Sequence, residues 1–91
     1  MFHVLTITYV QDLDVVAETR PAHAEWVKAH VDAGKLILAG RLESGDGGIL
    51  VTSDIGAIEA DEMTATDPYV LAGAARYDRT SFNATVRGAG L

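Results

Sequence analysis

Nine consecutive residues near the start of the chain, Phe2 to Val10 (FHVLTITYV), are almost all β-branched, aromatic or aliphatic. A strand alternates its side chains between two faces. His3, Leu5, Ile7 and Tyr9 therefore point one way, and Phe2, Val4, Thr6, Thr8 and Val10 the other. Both faces are largely apolar, so this strand belongs in the middle of a sheet that is covered on both sides. Helices supply one cover. The other has to come from somewhere else, and a second copy of the chain is the simplest source.

The next stretch changes period. Between residues 13 and 33, a wheel at about 100° per residue puts Glu18, Glu25, Lys28 and Asp32 on one side. Val16, His23, Val27, His30 and Val31 fall on the other, with Trp26 at the margin. Pro21 disfavours helical geometry at the residue before it and removes an amide donor. A short first turn over 13–18 is therefore expected, with a main helix opening near Arg20 and Pro21 in its first position. Gly34 ends it.

Residues 35–42 (KLILAGRL) read as a second strand and 49–52 as a third, joined through Ser44-Gly45-Asp46-Gly47-Gly48 as an antiparallel hairpin. A second helix is expected from a cap at Ser53 or Asp54 to about Thr66, with Ile55, Ile58 and Met63 facing inward. Asp67-Pro68 stops it. A last strand starts after Gly73, with Ala75, Tyr77 and Arg79 on one face. The order is βαββαβ. Right-handed crossovers then give an α+β domain: a four-stranded antiparallel sheet with both helices on one face. Residues 1–86 form one domain and 87–91 a tail. The open face carries Val4, Thr6 and either Leu36 or Ile37.

Composition narrows the function. A 91-residue chain has a thin core, and with 48% hydrophobic residues some apolar surface is expected to meet another subunit. A homodimer is the expectation. There is no cysteine, which removes disulfides, thiolate nucleophiles and cysteine-based metal sites. Seven basic residues face thirteen acidic ones, and the basic residues are scattered from Arg20 to Arg87. Nucleic acid is not an expected partner, because its binders carry a basic stripe. No signal peptide or membrane-length apolar run is visible, so no membrane partner and a cytoplasmic location are expected.

A few residues are suited to chemistry. His23 sits on the apolar face of the first helix. It reads as a core or interface histidine, as a ligand-binding group, or as a general acid or base, since imidazole exchanges protons near neutrality. Arg20 lies three residues earlier. It would either pair with Glu18 or Asp14 on the surface, or form an anion site beside the helix start. Asp67 would either bond its own turn or set its carboxylate against His23 and hold the imidazole tautomer. Tyr69 would place a hydroxyl at the mouth of the same pocket. His23 and His30 are two turns apart, but no compact metal motif joins them, and no cofactor or metal is expected. Gly45-Asp46-Gly47-Gly48 lacks a phosphate-loop pattern, and Ser44 and Ser81 lack a nucleophile elbow.

Arg20-Pro21-Ala22-His23, Gly34-Lys35-Leu36 with Ala39-Gly40, and Asp67-Pro68-Tyr69-Val70 with Ala72-Gly73 closely resemble the YCII-like family over residues 2–82. The resemblance implies a ferredoxin-like fold of the dimeric α/β barrel superfamily, with two subunits stacking their sheets. It implies a pair formed by His23 and Asp67 in a cleft that Arg20 also lines. The wider superfamily includes muconolactone isomerases, a dehydrochlorinase of a chlorinated hydroxyquinol, and haem or quinol-oxidising monooxygenases. Arg41 is a departure: the family often has proline after the glycine that ends the second strand. Its cation would reach the pocket rim or meet solvent. The leading expectation is a small cofactorless lyase or isomerase acting on a compact anionic or hydroxylated molecule. In it His23 and Asp67 are catalytic, and Arg20, Tyr69 and Arg41 bind substrate. The alternative is a non-catalytic module that binds a small molecule in the same cleft.

Overall fold

In a computed structural model that describes all residues from Met1 to Leu91, β1 (Phe2–Tyr9) is central. It pairs antiparallel with β3 (Gly47–Thr52) on one side and β4 (Ala75–Phe82) on the other. β2 (Leu36–Arg41) pairs with β3 at the edge, giving the order β2-β3-β1-β4. This is the four-stranded antiparallel sheet the element order implied, in the ferredoxin-like arrangement the family resemblance implied. Helices α1 (Leu13–Asp32), α2 (Ala57–Thr64) and α3 (Pro68–Leu71) complete the chain.

The alternation of β1 decides where the core lies. Leu5 and Ile7 are buried on the helix-facing side and join Val16 of α1, Leu36 of β2, Leu50 of β3, Met63 of α2 and Tyr69 of α3 in one apolar cluster. His3 faces the same way and is fully buried. Its Nε2 lies 2.8 Å from the Ile55 carbonyl, which can only accept, so Nε2 carries the proton and Nδ1 accepts from the Ser81 hydroxyl at 2.7 Å. Two hydrogen bonds thus let a polar ring sit in an apolar layer.

The opposite face is open. The cross-strand register sets Val4 beside Val51, Thr6 beside Ile49, and Phe2 beside Phe82. Phe2 and Phe82 stack with centroids 6.0 Å apart. A bulge between Leu36 and Leu38 turns Leu36 into the core and leaves Leu38 66% exposed on the open face. The chain end crosses this face: Arg87 sits 5.0 Å over the Phe2 ring and pairs with Asp54 at 3.2 Å.

Four local readings change. α1 is one helix that runs through Pro21. Pro21 and Ala17 both lie on its exposed side, so the carbonyl left without a donor there faces water. α2 starts at Ala57 with Gly56 as its N-cap, because Asp54 is bound instead to the terminal ammonium and Arg87. Its Ile58 is 76% exposed rather than inward, and Ala60, Met63 and Thr64 are buried in its place. Asp67-Pro68 opens a helix as well as following one. Pro68 takes the first position of α3 and the Asp67 side chain accepts from the Tyr69 amide, an N-cap arrangement. Val31, expected inward, is 42% exposed.

The hairpin depends on bare backbone. A Cβ at Gly47 would lie 1.9 Å from the Ile7 carbonyl oxygen, which is backbone and cannot move aside. Gly47→Ala should lower the urea midpoint of unfolding, with a destabilisation of about 1–3 kcal/mol or more from overpacking. Gly56→Ala, where nothing lies within 4 Å of the added atom, serves as the control.

Candidate active site

α1 carries His23 over the sheet, and α3 brings Asp67 beneath it. His23 Nδ1 lies 2.9 Å from both carboxylate oxygens of Asp67, across forty-four positions of sequence. An ionised carboxylate only accepts, so Nδ1 bears the proton and donates. Nε2 then holds the lone pair, and it makes no hydrogen bond within the protein. The His23 side chain keeps 14% exposure while Asp67 has none. The imidazole thus has one edge anchored in the interior and the other open.

A buried carboxylate needs several donors. Asp67 has three, each from a different element: the His23 imidazole of α1, the Tyr69 amide of α3 at 2.9 Å, and the Tyr77 hydroxyl of β4. Burial first, and then the neighbouring Asp67 carboxylate, push the Tyr77 phenol far above its ordinary value, so it stays a donor. The His23 ring stacks on Tyr69 at 4.0 Å between centroids and 17° between planes, with Trp26 at 6.0 Å. Trp26 is held in turn by its indole N–H, which donates to Thr66 Oγ1 at 2.9 Å.

Arg20 lies one turn before His23 on α1. Neither Glu18 nor Asp14 pairs with it. The Tyr69 hydroxyl, against the opposing effect of burial and together with Tyr9, raises the pKa of its guanidinium and secures its charge. Its Nε is buried without a hydrogen-bond partner. Burial raises the Tyr69 phenol, an effect that Arg20 opposes. Tyr69 is only 2% exposed, so its ring is an inner wall rather than a group at the mouth.

Between α1 and the β2–β3–β1 side of the sheet lies a cleft of about 260 Å³. Arg20, His23 and Tyr69 line it together with Arg41 from the end of β2. Ile7, Leu50 and Val27 make its surface apolar. Of the five residues singled out, four line this space and the fifth, Asp67, lies behind His23. Tyr9 and Tyr77 belong to the same constellation and were not singled out from sequence. The strand alternation that placed Tyr9 with Leu5 and Tyr77 with Ala75 was the available signal. His30 is turned elsewhere, its Nδ1–H donating to the Trp26 carbonyl at 2.8 Å. No three His, Asp or Glu side chains converge as metal ligands.

An anchored imidazole with a free nitrogen, a fixed cation and apolar walls can take a proton from a bound molecule and hold the negative charge that results. Comparison with known proteins agrees on the class of fold. Residues 1–83 match the YCII-related domain, and the chain belongs to that family. Its structure is similar to that of 5-chloro-2-hydroxyhydroquinone dehydrochlorinase (TftG) from Burkholderia phenoliruptrix. The TM-score is 0.75 at 16% identity, over 91% of this chain and 94% of that one. At that identity the likeness is one of fold, the ferredoxin-like arrangement. The chain is also 74% identical over 23 residues to a "12 kDa protein" of Mycolicibacterium smegmatis, a quarter of this chain and 96% of that sequence.

Tyr77→Phe removes one of the three donors to Asp67. It should destabilise the protein by about 1–3 kcal/mol in urea unfolding, as for a lost hydrogen bond to a buried charge. Because the folded-state pKa of Tyr77 is raised, its contribution is fully present below the unfolded value of about 10 and is lost as pH rises beyond it. Wild type should therefore lose stability more steeply than Tyr77→Phe above about pH 10, measured by urea midpoints across the alkaline range.

Proposed function

We propose that the protein is a small enzyme of lyase or isomerase type that moves a proton on a compact anionic or hydroxylated molecule without a cofactor. The observation that carries this is the 2.9 Å contact of His23 Nδ1 with both oxygens of the fully buried Asp67, which leaves Nε2 free beside the cleft. Nε2 takes a proton from the substrate, and the imidazolium formed is stabilised by the Asp67 carboxylate. The released electron pair moves into the substrate framework. It either expels an anionic leaving group, or the imidazolium returns the proton to another carbon. Arg20 holds the anionic oxygen and Tyr69 keeps the ring of His23 in place. The dehydrochlorinase of similar fold, in complex with 2,5-dihydroxybenzoquinone, supports a hydroxylated ring as a first substrate class to try.

The test is turnover of halogenated hydroquinones and small unsaturated lactones. His23→Ala should lower kcat by about 10²–10⁴, the usual contribution of a positioned base. Asp67→Asn should lower it by a smaller factor with the fold retained. Turnover unchanged in His23→Ala would overturn the mechanism. Tight binding of these compounds with no turnover in wild type would favour a binding module instead.

We also propose that the open sheet face is the interface of a homodimer. Its Val4, Val51, Ile49 and Leu38 present apolar side chains that a single chain leaves partly or largely uncovered. Light scattering should give the mass of two chains for wild type, and of one chain for Leu38→Glu combined with Val51→Asp. A monomeric wild type would refute this.

A further inference from the structure

The chain holds seven Lys and Arg against thirteen Asp and Glu, so an unpaired cation is not the expected state for any of the seven. Five have acidic partners: Lys28 with Asp32, Lys35 with Glu59, Arg76 with Asp78, Arg79 with Asp61, and Arg87 with Asp54. The two that remain are Arg20 and Arg41, and both line the same cleft. Asp67, the nearby carboxylate, forms no ion pair with either, its oxygens being engaged by His23, the Tyr69 amide and Tyr77. In a protein of net charge −6, this cleft is a local reversal of sign.

The two cations come from different walls, Arg20 from α1 and Arg41 from the end of β2. Arg20 is already braced by Tyr69 and Tyr9 and has a buried Nε without an acceptor. Arg41 has no acidic or hydrogen-bonding partner in the chain and is exposed, free to swing onto a second group. One anionic group can satisfy one arginine. Two anionic groups on a framework no larger than a substituted ring would satisfy both within about 260 Å³. We propose that the cleft selects compact dianions, with Arg20 taking one acidic group and Arg41 the other, so that the carbon skeleton lies across His23. The proposal rests on the reading of this cleft as a substrate site and adds the charge of the substrate and the residue that selects it.

Binding tests this without turnover. The full chain is titrated with benzoate and with the 1,2-, 1,3- and 1,4-benzenedicarboxylates, followed by calorimetry and by the His23 imidazole signals in NMR. At least one dicarboxylate should bind wild type about tenfold or more tightly than benzoate, the scale of one added charge-assisted contact. Added salt should shrink that advantage. Arg41→Gln should bring the dicarboxylate down to the affinity of benzoate, and Arg41→Glu should drive it below. Arg41 is exposed, so both variants should keep the wild-type unfolding midpoint. His23→Ala should retain the dicarboxylate preference, which separates ligand charge from catalysis. If no dicarboxylate exceeds benzoate, or if the advantage survives Arg41→Gln, the dianion proposal fails. Loss of turnover in His23→Ala would then still leave the proton-transfer reading standing.

Discussion

The carboxylate of Asp67 is the point on which the arrangement turns. A fully buried charge is tolerated only where hydrogen bonds replace the water it has lost. Here each replacement comes from a different part of the fold: a long helix, the amide of a one-turn helix, and a strand at the far edge of the sheet. The need to satisfy one acid thus ties α1, α3 and β4 together. The same need orients the imidazole, because only the protonated Nδ1 can serve. α3, at four residues, is far too short to form alone. It exists because Asp67 caps it, Pro68 starts it and Tyr69 buries its ring.

The architecture was legible wherever a period was strong. The alternation of β1 set the central strand and its two faces, and the 3.6-residue pattern of α1 set His23 toward the sheet. Where the signal was a single residue, context decided. Pro21 pointed to a break in α1, but the unpaired carbonyl falls on the wet side of the helix and the break is not needed. Ile58 looked like a core residue in a short weak pattern, yet α2 begins late because Asp54 is engaged by the terminal ammonium and Arg87. A contact between residues this distant in sequence leaves no local trace.

The site was legible to a similar extent. Residue type and family resemblance pointed to His23, Asp67, Arg20, Tyr69 and Arg41, and the fold gathers all five around one cleft. Tyr77 escaped notice because its partner lies ten positions away on another element, and nothing in a strand pattern distinguishes a tyrosine that packs from one that donates to a buried acid. Tyr9 escaped because the strand pattern does not show that its ring meets Tyr69, sixty positions later. Charge bookkeeping along the sequence also hid the basic character of the cleft, since an overall excess of acids says nothing about which cations are left alone.

Tyr69 meets three members of this constellation. Its amide donates to Asp67, its ring lies flat against His23, and its hydroxyl stands beside Arg20. A phenol ring is rigid from Cβ to oxygen. The interval between the imidazole and the guanidinium is therefore gauged by a covalent ruler, not by the play of two flexible side chains. Replacing Tyr69 by a shorter residue would blur that measure even where both charged groups survived.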